Sequence, residues 1–369
     1  MTRIMTISVS ADYSGAPIVA DTYIAALNSY EHVVVYGKSK INEFLFRDAV
    51  REYCIPTMTS SFSPSRFIIS LRSLLKILRF ESPDIVISHS AIAALLARAL
   101  WPFFRYKLII VNHGWPWRGY SRTAAWVIKV IEGIAYLFSR PYLVYLSHFE
   151  YERAPKFVRA TSSAWVIPNA LKVVDDYDPY AEKEARDAKN KSGEEGLAGA
   201  IGRVAMIARV DHSKDHELLI NACRLTRRQM ELLLVGEGTE AFSSTVDDNG
   251  FFVTGLGVRN DVYDLLSSVD VVALVSRFET LPMSLIEATR MGLPLVASDV
   301  GSVRSIVRDG YNGFLVTNDV SSVSEAIIEL LDNPELRDIY GANSRQHYLD
   351  VFSFEVFSKR VRDLVMKIK

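Results

Sequence analysis

The sequence predicts an α/β protein with two doubly wound parallel sheets. In both halves of the chain, short apolar runs typical of buried strands alternate with segments of helical periodicity. A strand covered by helices on both faces is expected to be apolar along its length, as these runs are. A chain of 369 residues usually divides into two domains. We therefore expect two sheets, each with its own core.

The predicted elements fall into two series separated by a polar stretch. The first series has strands at Ile4–Val9, Val33–Tyr36, Ile85–Ser88, Leu108–Val111, Tyr142–Leu146 and Trp165–Ile167, and helices at Ile18–Leu27, Phe67–Phe80, Ile92–Leu100 and Ala124–Phe138. The second begins at Val204, with strands near 231–235, 251–253, 270–275, 294–298 and 313–316. We expect domains at 1–174 and 201–352, a linker or exposed loop at 175–200, and a last helix within 353–369.

Composition narrows the class of protein. A hydrophobic fraction of 49% and a charged fraction of 23% are ordinary for a globular chain. Cys54 and Cys223 cannot form a disulfide framework, and no apolar run reaches the roughly 20 residues that span a bilayer. Met1 leads directly into a strand without a secretory signal. We expect a cytoplasmic protein that is soluble or peripheral on the inner face of the plasma membrane.

Charge is distributed unevenly along the chain. Residues 1–165 hold 19 Lys and Arg and 11 Asp and Glu. The whole chain has 42 basic and 43 acidic residues, so residues 166–369 hold 23 basic and 32 acidic ones. A basic first half favours an anionic partner, such as phospholipid or a lipid diphosphate; scattered solvated charge is the alternative. Aromatic and basic residues also mix at 101–107 and 115–122. Trp115 and Trp117 suit a membrane interface or sugar stacking, and core packing is a further alternative.

Two glutamates flank the start of a predicted helix. Glu279 follows the apolar run Val271–Val275, and Glu287 lies about two turns into the next helix, for which Pro282 suits the first position. The free N–H groups at a helix start bind phosphate well. We expect those near Thr280 and Leu281 to do so. A carboxylate on each side of a phosphate site suits a ligand with hydroxyls at both ends, such as a nucleotide-sugar.

This pattern resembles the glutamate-x7-glutamate motif of retaining glycosyltransferases of the GT-B fold, specifically family 4. Arg209 and Lys214 match the diphosphate-binding arginine and lysine of that family. The resemblance is specific over about 203–332 and thinner over 1–170. It implies two Rossmann-like domains with a ligand crevice between them and a C-terminal helix that crosses back onto the first domain.

The same resemblance implies roles for individual residues. The catalytic group would be His113, Arg209, Lys214 and Glu279, with the two cations stabilising the leaving diphosphate and His113 near the donor sugar. Glu279 would hold sugar hydroxyls, and Glu287 would accept from the ribose. Backbone groups near Leu256 would hold the base.

The predicted first domain offers fewer candidates. Gly15 and Ala16 lie in the first strand-to-helix turn, where the backbone could approach a phosphate, although a purely structural turn glycine remains the alternative. His89 directly follows Ile85–Ser88, so it could line the acceptor side together with Trp115 and Trp117; a structural histidine is again the alternative.

Other chemistries lack their motifs. The sequence has no Cys/His cluster, no G-x-G-x-x-G in the first turn and no G-x-S-x-G, and its one Asp-x-Asp, at 176–178, lies in the polar junction. We expect no metal, no cofactor and no nucleic-acid partner. The predicted function is transfer of a sugar from a nucleoside diphosphate to a glycan or lipid-linked glycan, in bacterial surface polysaccharide synthesis. A nucleotide-sugar epimerase and a silent glycan- or nucleotide-binding subunit are the alternatives.

Overall fold

The chain forms two compact units. The first comprises Met1–Lys172 with Phe354–Lys369, and the second comprises Val173–Ser353. The computed structural model describes residues 2–10, 15–37, 46–59, 63–115, 121–172, 178–181, 183 and 201–368. Most of the polar stretch predicted at 175–200, and Trp117 with its neighbours, lie outside these residues.

The first unit contains a seven-stranded parallel sheet, which confirms the predicted fold class for this half. The strand order is β3-β2-β1-β4-β5-β6-β7. The strands are β1 (Arg3–Ser8), β2 (Glu31–Gly37), β3 (Arg51–Ile55), β4 (Ile85–Ser88), β5 (Lys107–Asn112), β6 (Tyr142–Tyr145) and β7 (Ser163–Val166). The order reverses between β1 and β4, which is where ligands bind in doubly wound sheets.

Helices cover this sheet. They are α1 (Gly15–Ala26), α2 (Pro64–Glu81), α3 (Ala91–Phe104), α4 (Arg122–Ser139), α5 (His148–Glu152) and α6 (Lys156–Thr161). Helix α3 starts where the Ser90 hydroxyl accepts a hydrogen bond from the Ala93 N–H at 3.1 Å, and it ends at Arg105 in the left-handed conformation. Helices α2, α3 and α4 lie side by side over a core built around Met5, Ile7 and their neighbours.

The last helix belongs to the first unit. It spans Phe354–Ile368 and packs on α1, where Phe357 meets Tyr23 edge to face with ring centroids 5.0 Å apart. Its buried residues, Phe357, Val361, Leu364, Val365 and Ile368 among them, follow the three-to-four-residue spacing of an amphipathic helix. The sequence prediction of an amphipathic C-terminal helix is confirmed.

The second unit contains a six-stranded parallel sheet in the order β10-β9-β8-β11-β12-β13. Its strands are β8 (Gly202–Ile207), β9 (Met230–Val235), β10 (Phe251–Gly255), β11 (Val271–Leu274), β12 (Leu295–Ser298) and β13 (Gly313–Val316). Between residues 201 and 353 its α-helices are α7 (His216–Leu225), α8 (Val262–Leu266), α9 (Met283–Arg290), α10 (Val320–Asp332) and α11 (Pro334–His347). A π-helical turn at Tyr348–Phe352 follows α11, and the C-terminal helix of the first unit is numbered α12.

Two details differ from the sequence prediction. Strand β3 was not predicted, because Arg51–Ile55 is a short edge strand whose charged residues face solvent and disguise its pattern. Helix α9 begins at Met283, and Pro282 is its N-cap in extended conformation rather than its first helical residue. This shift of one residue keeps the first N–H groups of the helix directly after the loop that carries Glu279.

Candidate functional site

The loops that follow β8 and β11 meet at one edge of the second sheet. Both strands are parallel neighbours, so their carboxyl ends point the same way. The Asp215 N–H donates to the Val275 carbonyl at 2.9 Å, and the Arg277 N–H donates to the Ser213 carbonyl at 2.8 Å. Lys214 and Ser276 therefore face each other in an isolated antiparallel bridge. This pairing holds the predicted lysine beside the predicted glutamate loop.

Lys214 and Glu279 form an ion pair in the second unit. The Lys214 ammonium donates to Glu279 Oε1, and the Ser276 hydroxyl donates to the same oxygen at 2.8 Å. Glu279 is only 7% exposed. A buried carboxylate is stabilised by a nearby cation and by hydrogen bonds, and Lys214 and Ser276 supply these to Glu279. Its second oxygen remains a candidate acceptor for a ligand hydroxyl.

A polar network behind the pair fixes the glutamate loop. The Ser276 N–H donates to the Ser298 hydroxyl at 2.9 Å, and Asn318 Nδ2 donates to the Ser276 carbonyl at 2.9 Å. The Ser298 hydroxyl in turn donates to Asn318 Oδ1. The sequence analysis missed Ser276, Ser298 and Asn318. The available signal was a polar residue at or just beyond the end of each apolar strand, since such residues lie at the ligand-binding edge.

Gly301 makes the loop geometry possible. It has a φ of +57°, and a Cβ at this position would lie 1.7 Å from the backbone oxygen of Glu279. Only glycine both adopts this conformation readily and leaves room for that oxygen. The position of Glu279 thus depends on a residue in the next loop.

Arg209 lies in the loop after β8 and reaches into solvent. Its side chain is 67% exposed, and its Nε donates to Asp211 Oδ2 at 2.9 Å. Partial burial of Asp211 would raise its pKa, but hydrogen bonds from Arg209 and Ser213 hold that pKa well below its usual range. Asp211 therefore stays charged and orients the guanidinium. The exposed Arg209 is available to an anionic ligand, whereas Lys214 is already engaged with Glu279.

The segment that leads into helix α9 contains three further residues predicted to bind the donor. Thr280, Leu281 and Pro282 connect Glu279 to the helix start, and Leu281 is buried. The first N–H groups of a helix have no acceptor within that helix, so they can bind an anion. The loop and helix thus bring the Lys214–Glu279 pair next to a feature suited to phosphate.

Glu287 is half-buried on α9, near Arg290. Burial raises the pKa of Glu287 to about 7, and the positive charge of Arg290 opposes that rise. Arg290 itself lies over the Tyr263 ring and bonds to the Tyr263 hydroxyl at 3.3 Å. A carboxyl with its pKa near neutrality can accept hydrogen bonds from hydroxyls when ionised.

Leu256 follows strand β10 at the same edge of the sheet. Its N–H donates to the Leu234 carbonyl at 2.8 Å, and the Gly257 carbonyl accepts from Gly236 at 2.7 Å. A base recognised at Leu256 would therefore be held through the Leu256 carbonyl rather than through its N–H. The predicted role of this residue stays a prediction.

In the first unit, Gly15 and Ala16 form the start of α1. Residues 11–14, which precede them, lie outside the described part of the chain. A Cβ built on Gly15 meets no atom within 4 Å. Crowding therefore does not require a glycine at this position, and the open space is compatible with close approach of a ligand.

His89 and His113 meet at the ends of β4 and β5 in the first unit. His113 Nε2 lies 3.4 Å from His89 Nδ1, and Tyr23 packs edge to face on His89. Burial lowers the pKa of His113 to about 4, and burial together with His113 lowers the pKa of His89 well below its ordinary value. Both rings are therefore neutral at physiological pH. His89 is fully buried, whereas His113 is half-buried and reaches further outward.

The two predicted acceptor-side tryptophans are not equivalent. Trp115 is 6% exposed and packs against Tyr145 in the first core. That environment favours the core-packing alternative for Trp115. Trp117 lies outside the described residues.

The described residues also bear on metal binding. Within them, no group of three His, Cys, Asp or Glu side chains is arranged to hold a metal ion. Asp178 bonds to Arg345, and Asp176 lies outside the described part of the chain.

Two family profiles match consecutive parts of the chain. Residues 14–173 match Glycosyltransferase Family 4, and residues 188–347 match Glycosyl transferases group 1. Together they cover most of the sequence. A curated relative in Escherichia coli, a UDP-Gal:alpha-D-GlcNAc-diphosphoundecaprenol alpha-1,3-galactosyltransferase, is 25% identical over 86% of this chain and 84% of its own.

Solved structures share the fold at low sequence identity. Sucrose-phosphate synthase from Thermosynechococcus elongatus has a TM-score of 0.79 at 17% identity, covering 100% of this chain and 99% of its own. Anabaena HepE, solved in complex with UDP and glucose, has a TM-score of 0.74 at 16% identity, with both chains covered completely. By its two matching profiles and its fold, this chain belongs to the group 1 and family 4 glycosyltransferases of the GT-B fold.

Proposed function

We propose that this glycosyltransferase is a retaining enzyme that transfers a sugar from a nucleoside diphosphate to a hydroxyl of a lipid-linked glycan. The observation that carries the proposal is the Lys214–Glu279 ion pair directly before helix α9. A cation, a carboxylate and the N–H groups of a helix start then lie within one short stretch of structure. These are the groups needed to bind a diphosphate joined to a hydroxyl-rich sugar.

The proposed chemistry depends on charge at the leaving group. When the bond from the sugar to the diphosphate breaks, negative charge grows on the departing phosphate oxygen. Lys214 and the exposed Arg209 stabilise that charge more in the transition state than in the ground state. Glu279 orients the sugar through its hydroxyls, and Glu287 accepts from the ribose.

Retention follows a front-face route in this proposal. The acceptor hydroxyl attacks from the side that the diphosphate leaves, and the departing phosphate takes its proton. Neutral His113 contributes hydrogen bonding near the sugar without adding charge. The support for this route is membership of a family whose motif the Glu279–Glu287 pair resembles.

The relatives suggest which substrates to test first. The Escherichia coli relative is named for a UDP-galactose donor and a diphosphoundecaprenol-linked acceptor. We propose a UDP-hexose as donor and a polyprenyl-diphosphate sugar as acceptor, in surface polysaccharide synthesis on the inner face of the plasma membrane. The basic composition of residues 1–165 supports an acceptor that carries a diphosphate.

A thermal-shift screen followed by product analysis tests the proposal. A nucleoside diphosphate that binds the folded state raises the unfolding midpoint, and UDP is expected to do so more than GDP or ADP. The UDP-hexose is then incubated with and without a lipid-linked acceptor, and the anomeric configuration of the product is read by NMR. An α-linked product from an α-linked donor supports retention.

Other outcomes identify the alternatives. Conversion of the donor to a second nucleotide-sugar without acceptor would identify an epimerase. Nucleotide binding with no turnover on any acceptor would favour a silent binding subunit. An inverted product would refute retention while leaving the glycosyltransferase assignment in place.

A further inference from the structure

Helix α4 (Arg122–Ser139) turns polar residues inward and apolar residues outward. Glu132, Tyr136 and Ser139 are each at most 5% exposed. The outer face carries six large apolar side chains that are 42–70% exposed, namely Trp126, Val130, Ile131, Ile134, Leu137 and Phe138. A surface helix normally buries its apolar stripe, so this arrangement is inverted. A contiguous apolar face of this size on a protein surface indicates an apolar partner.

A buried ion pair fixes this orientation. Arg98 of α3 donates to both oxygens of Glu132, at 2.6 and 2.9 Å, and both side chains are at most 6% exposed. The Arg98 guanidinium also lies 4.7 Å from the centre of the Tyr136 ring. Turning the apolar face of α4 inward would separate Arg98 from Glu132 and leave Arg98 as an uncompensated buried charge. The outward apolar face is therefore the stable arrangement.

The chain segment that contains α2, α3 and α4 is strongly basic. Residues 63–140 contain eleven Lys and Arg and three Asp and Glu. Of those three acidic residues, Glu81 and Glu132 are buried against arginines, which leaves Asp84 exposed. Arg122 and Lys129 on α4, and Arg140 directly after it, are exposed. The apolar face of α4 is thus bordered by cations.

The neighbouring helices extend the same surface. Helices α2, α3 and α4 lie side by side. Phe80 at the end of α2 is 70% exposed, and Phe103 at the end of α3 is 77% exposed. Arg72, Lys76 and Arg79 on α2 are also exposed.

We propose that α4 is a membrane-docking helix that lies in the interface of an anionic bilayer, with its apolar face among the acyl chains and its cations at the lipid phosphates. Apolar residues flanked by Lys and Arg are the pattern of helices that lie in a membrane surface. Among the helices of the described residues, none is long and apolar enough to cross a bilayer. The inference rests on the proposed lipid-linked acceptor for its biological purpose, but its test does not use catalysis.

A second copy of this chain is the less favourable occupant. A symmetric dimer through α4 would place the same surface on both sides of the interface. Cations would then oppose cations, which is unfavourable at an interface. An anionic lipid surface instead complements them.

The membrane contact proposed here lies on α4, whereas the sequence suggested the aromatic and basic residues of 101–122. Trp115 is buried, and Trp101 is half-buried with its indole N–H bonded to the Tyr106 carbonyl. Neither is presented to a bilayer as Trp126 is, which is 66% exposed.

Vesicle co-sedimentation of the full chain tests the proposal. The vesicles are phosphatidylcholine alone, or phosphatidylcholine with phosphatidylglycerol, each at low and at physiological salt. The test variant combines Trp126→Ser with Ile134→Ser. Both side chains are exposed, so their substitution should not disturb folding. The matched control is Ile339→Ser, since Ile339 is 57% exposed on α11 in the second unit while Ile134 is 52% exposed. UDP binding by calorimetry is measured for every variant.

We expect the wild type and Ile339→Ser to bind the anionic vesicles, more weakly as salt rises. The double variant should lose at least about tenfold in vesicle partitioning, since two large apolar side chains no longer enter the bilayer. Unchanged UDP binding and melting temperature would show that the loss is local. If the protein binds anionic vesicles but does not bind UDP, the proposed donor is wrong and the proposed docking helix is still supported.

Three results would overturn the docking proposal. The wild type could ignore anionic vesicles at low salt, or the double variant could bind them as well as Ile339→Ser does. Alternatively, size-exclusion chromatography could show an oligomer in the wild type that the double variant lacks, which would make α4 a protein interface.

Discussion

Lys214 and Glu279, sixty-five residues apart in the chain, form an ion pair at the edge of the second sheet. The pair forms because β8 and β11 are neighbours, so the loops that follow them meet. Lys214 is the counter-ion of the buried Glu279. In the proposed reaction, the same ammonium would also face the diphosphate. One cation would then link the residue that orients the sugar to the group that leaves.

Removing either cation should slow turnover, but only one change should also destabilise the fold. Lys214→Ala and Arg209→Ala should each lower kcat by about 10²–10³, as expected for loss of one group that stabilises transition-state charge. Lys214→Ala should in addition lower the melting temperature, because Glu279 is 7% exposed and loses its counter-ion. Arg209 is 67% exposed, so its loss should leave the melting temperature nearly unchanged. Steady-state kinetics and calorimetry measure both effects, and turnover near wild type in both variants would contradict the diphosphate assignment.

Substitutions of the two glutamates should affect binding of different parts of the donor, Glu287 the nucleotide and Glu279 the sugar. Glu287→Ala should weaken binding of UDP alone, because Glu287 is proposed to accept from the ribose. Glu279→Gln should leave UDP binding nearly intact and weaken binding of the UDP-hexose, since Gln fills the same space while Glu279 is proposed to hold sugar hydroxyls. Calorimetric titration of each variant with both ligands is the measurement. Equal losses for both ligands in both variants would be incompatible with this division.

The ribose contact should depend on pH in a known direction. Burial raises the pKa of Glu287 to about 7. Below that pH the carboxyl is protonated, and above it the carboxylate can accept from both ribose hydroxyls. The preference for UDP over 2′-deoxy-UDP should therefore rise as the pH goes from about 5.5 to about 8. Phosphate protonation is common to both ligands and cancels in the affinity ratio.

Glu287→Gln provides the control for this pH dependence. Gln keeps the shape of the side chain but does not titrate, so the affinity ratio should be flat over the same range. A wild-type ratio that is already independent of pH would show that Glu287 does not contact the 2′-hydroxyl.

The sequence predicted the sheets well because a strand buried on both faces is apolar throughout, as in Val271–Leu274. It did not predict β3, since an edge strand keeps charged residues at solvent-facing positions. The Ser276–Ser298–Asn318 network was also missed. Its members are far apart in sequence, and their contacts depend on the order of strands in the sheet, which no local pattern contains.

The orientation of α4 shows a second limit. Periodicity predicted a helix at 124–138, and the structure confirms one at Arg122–Ser139. An apolar stripe on a helix is normally assigned to the core, however. The opposite orientation depends on Arg98 and Glu132, which lie on two different helices. The periodicity of one helix does not reveal an ion pair between two helices.

Breaking the buried Arg98–Glu132 pair should lower the free energy of unfolding much more than breaking an exposed ion pair. Arg98→Ala leaves Glu132 buried without a cation, so the free energy of unfolding should fall by about 3–5 kcal/mol. The control is Arg228→Ala, whose partner is Asp332, with side chains 48% and 47% exposed. That change should lower the free energy of unfolding far less, because an exposed ion pair is screened by solvent. Urea unfolding followed by circular dichroism compares the two, and similar small losses would mean that the buried pair does not fix α4.

Gly301 and Gly310 offer a test of how precisely Glu279 must be positioned. Both have positive φ, +57° and +69°, so alanine at either site carries backbone strain of roughly 1–2 kcal/mol. Only at Gly301 would the new Cβ also collide, at 1.7 Å, with the backbone oxygen of Glu279, whereas at Gly310 no atom lies within 4 Å. Gly301→Ala must therefore move the loop that carries Glu279.

The expected difference between these variants lies in turnover. A shift of about 1 Å in a positioning group can cost about 10²-fold in rate, so kcat/KM should fall by that order in Gly301→Ala. Gly310→Ala should stay near wild type, because it has the strain without the collision. UDP affinity should change little in either variant, since the displaced group faces the sugar. If Gly301→Ala turned over as fast as Gly310→Ala, the placement of Glu279 would not limit the reaction, and its proposed role in orienting the sugar would be wrong.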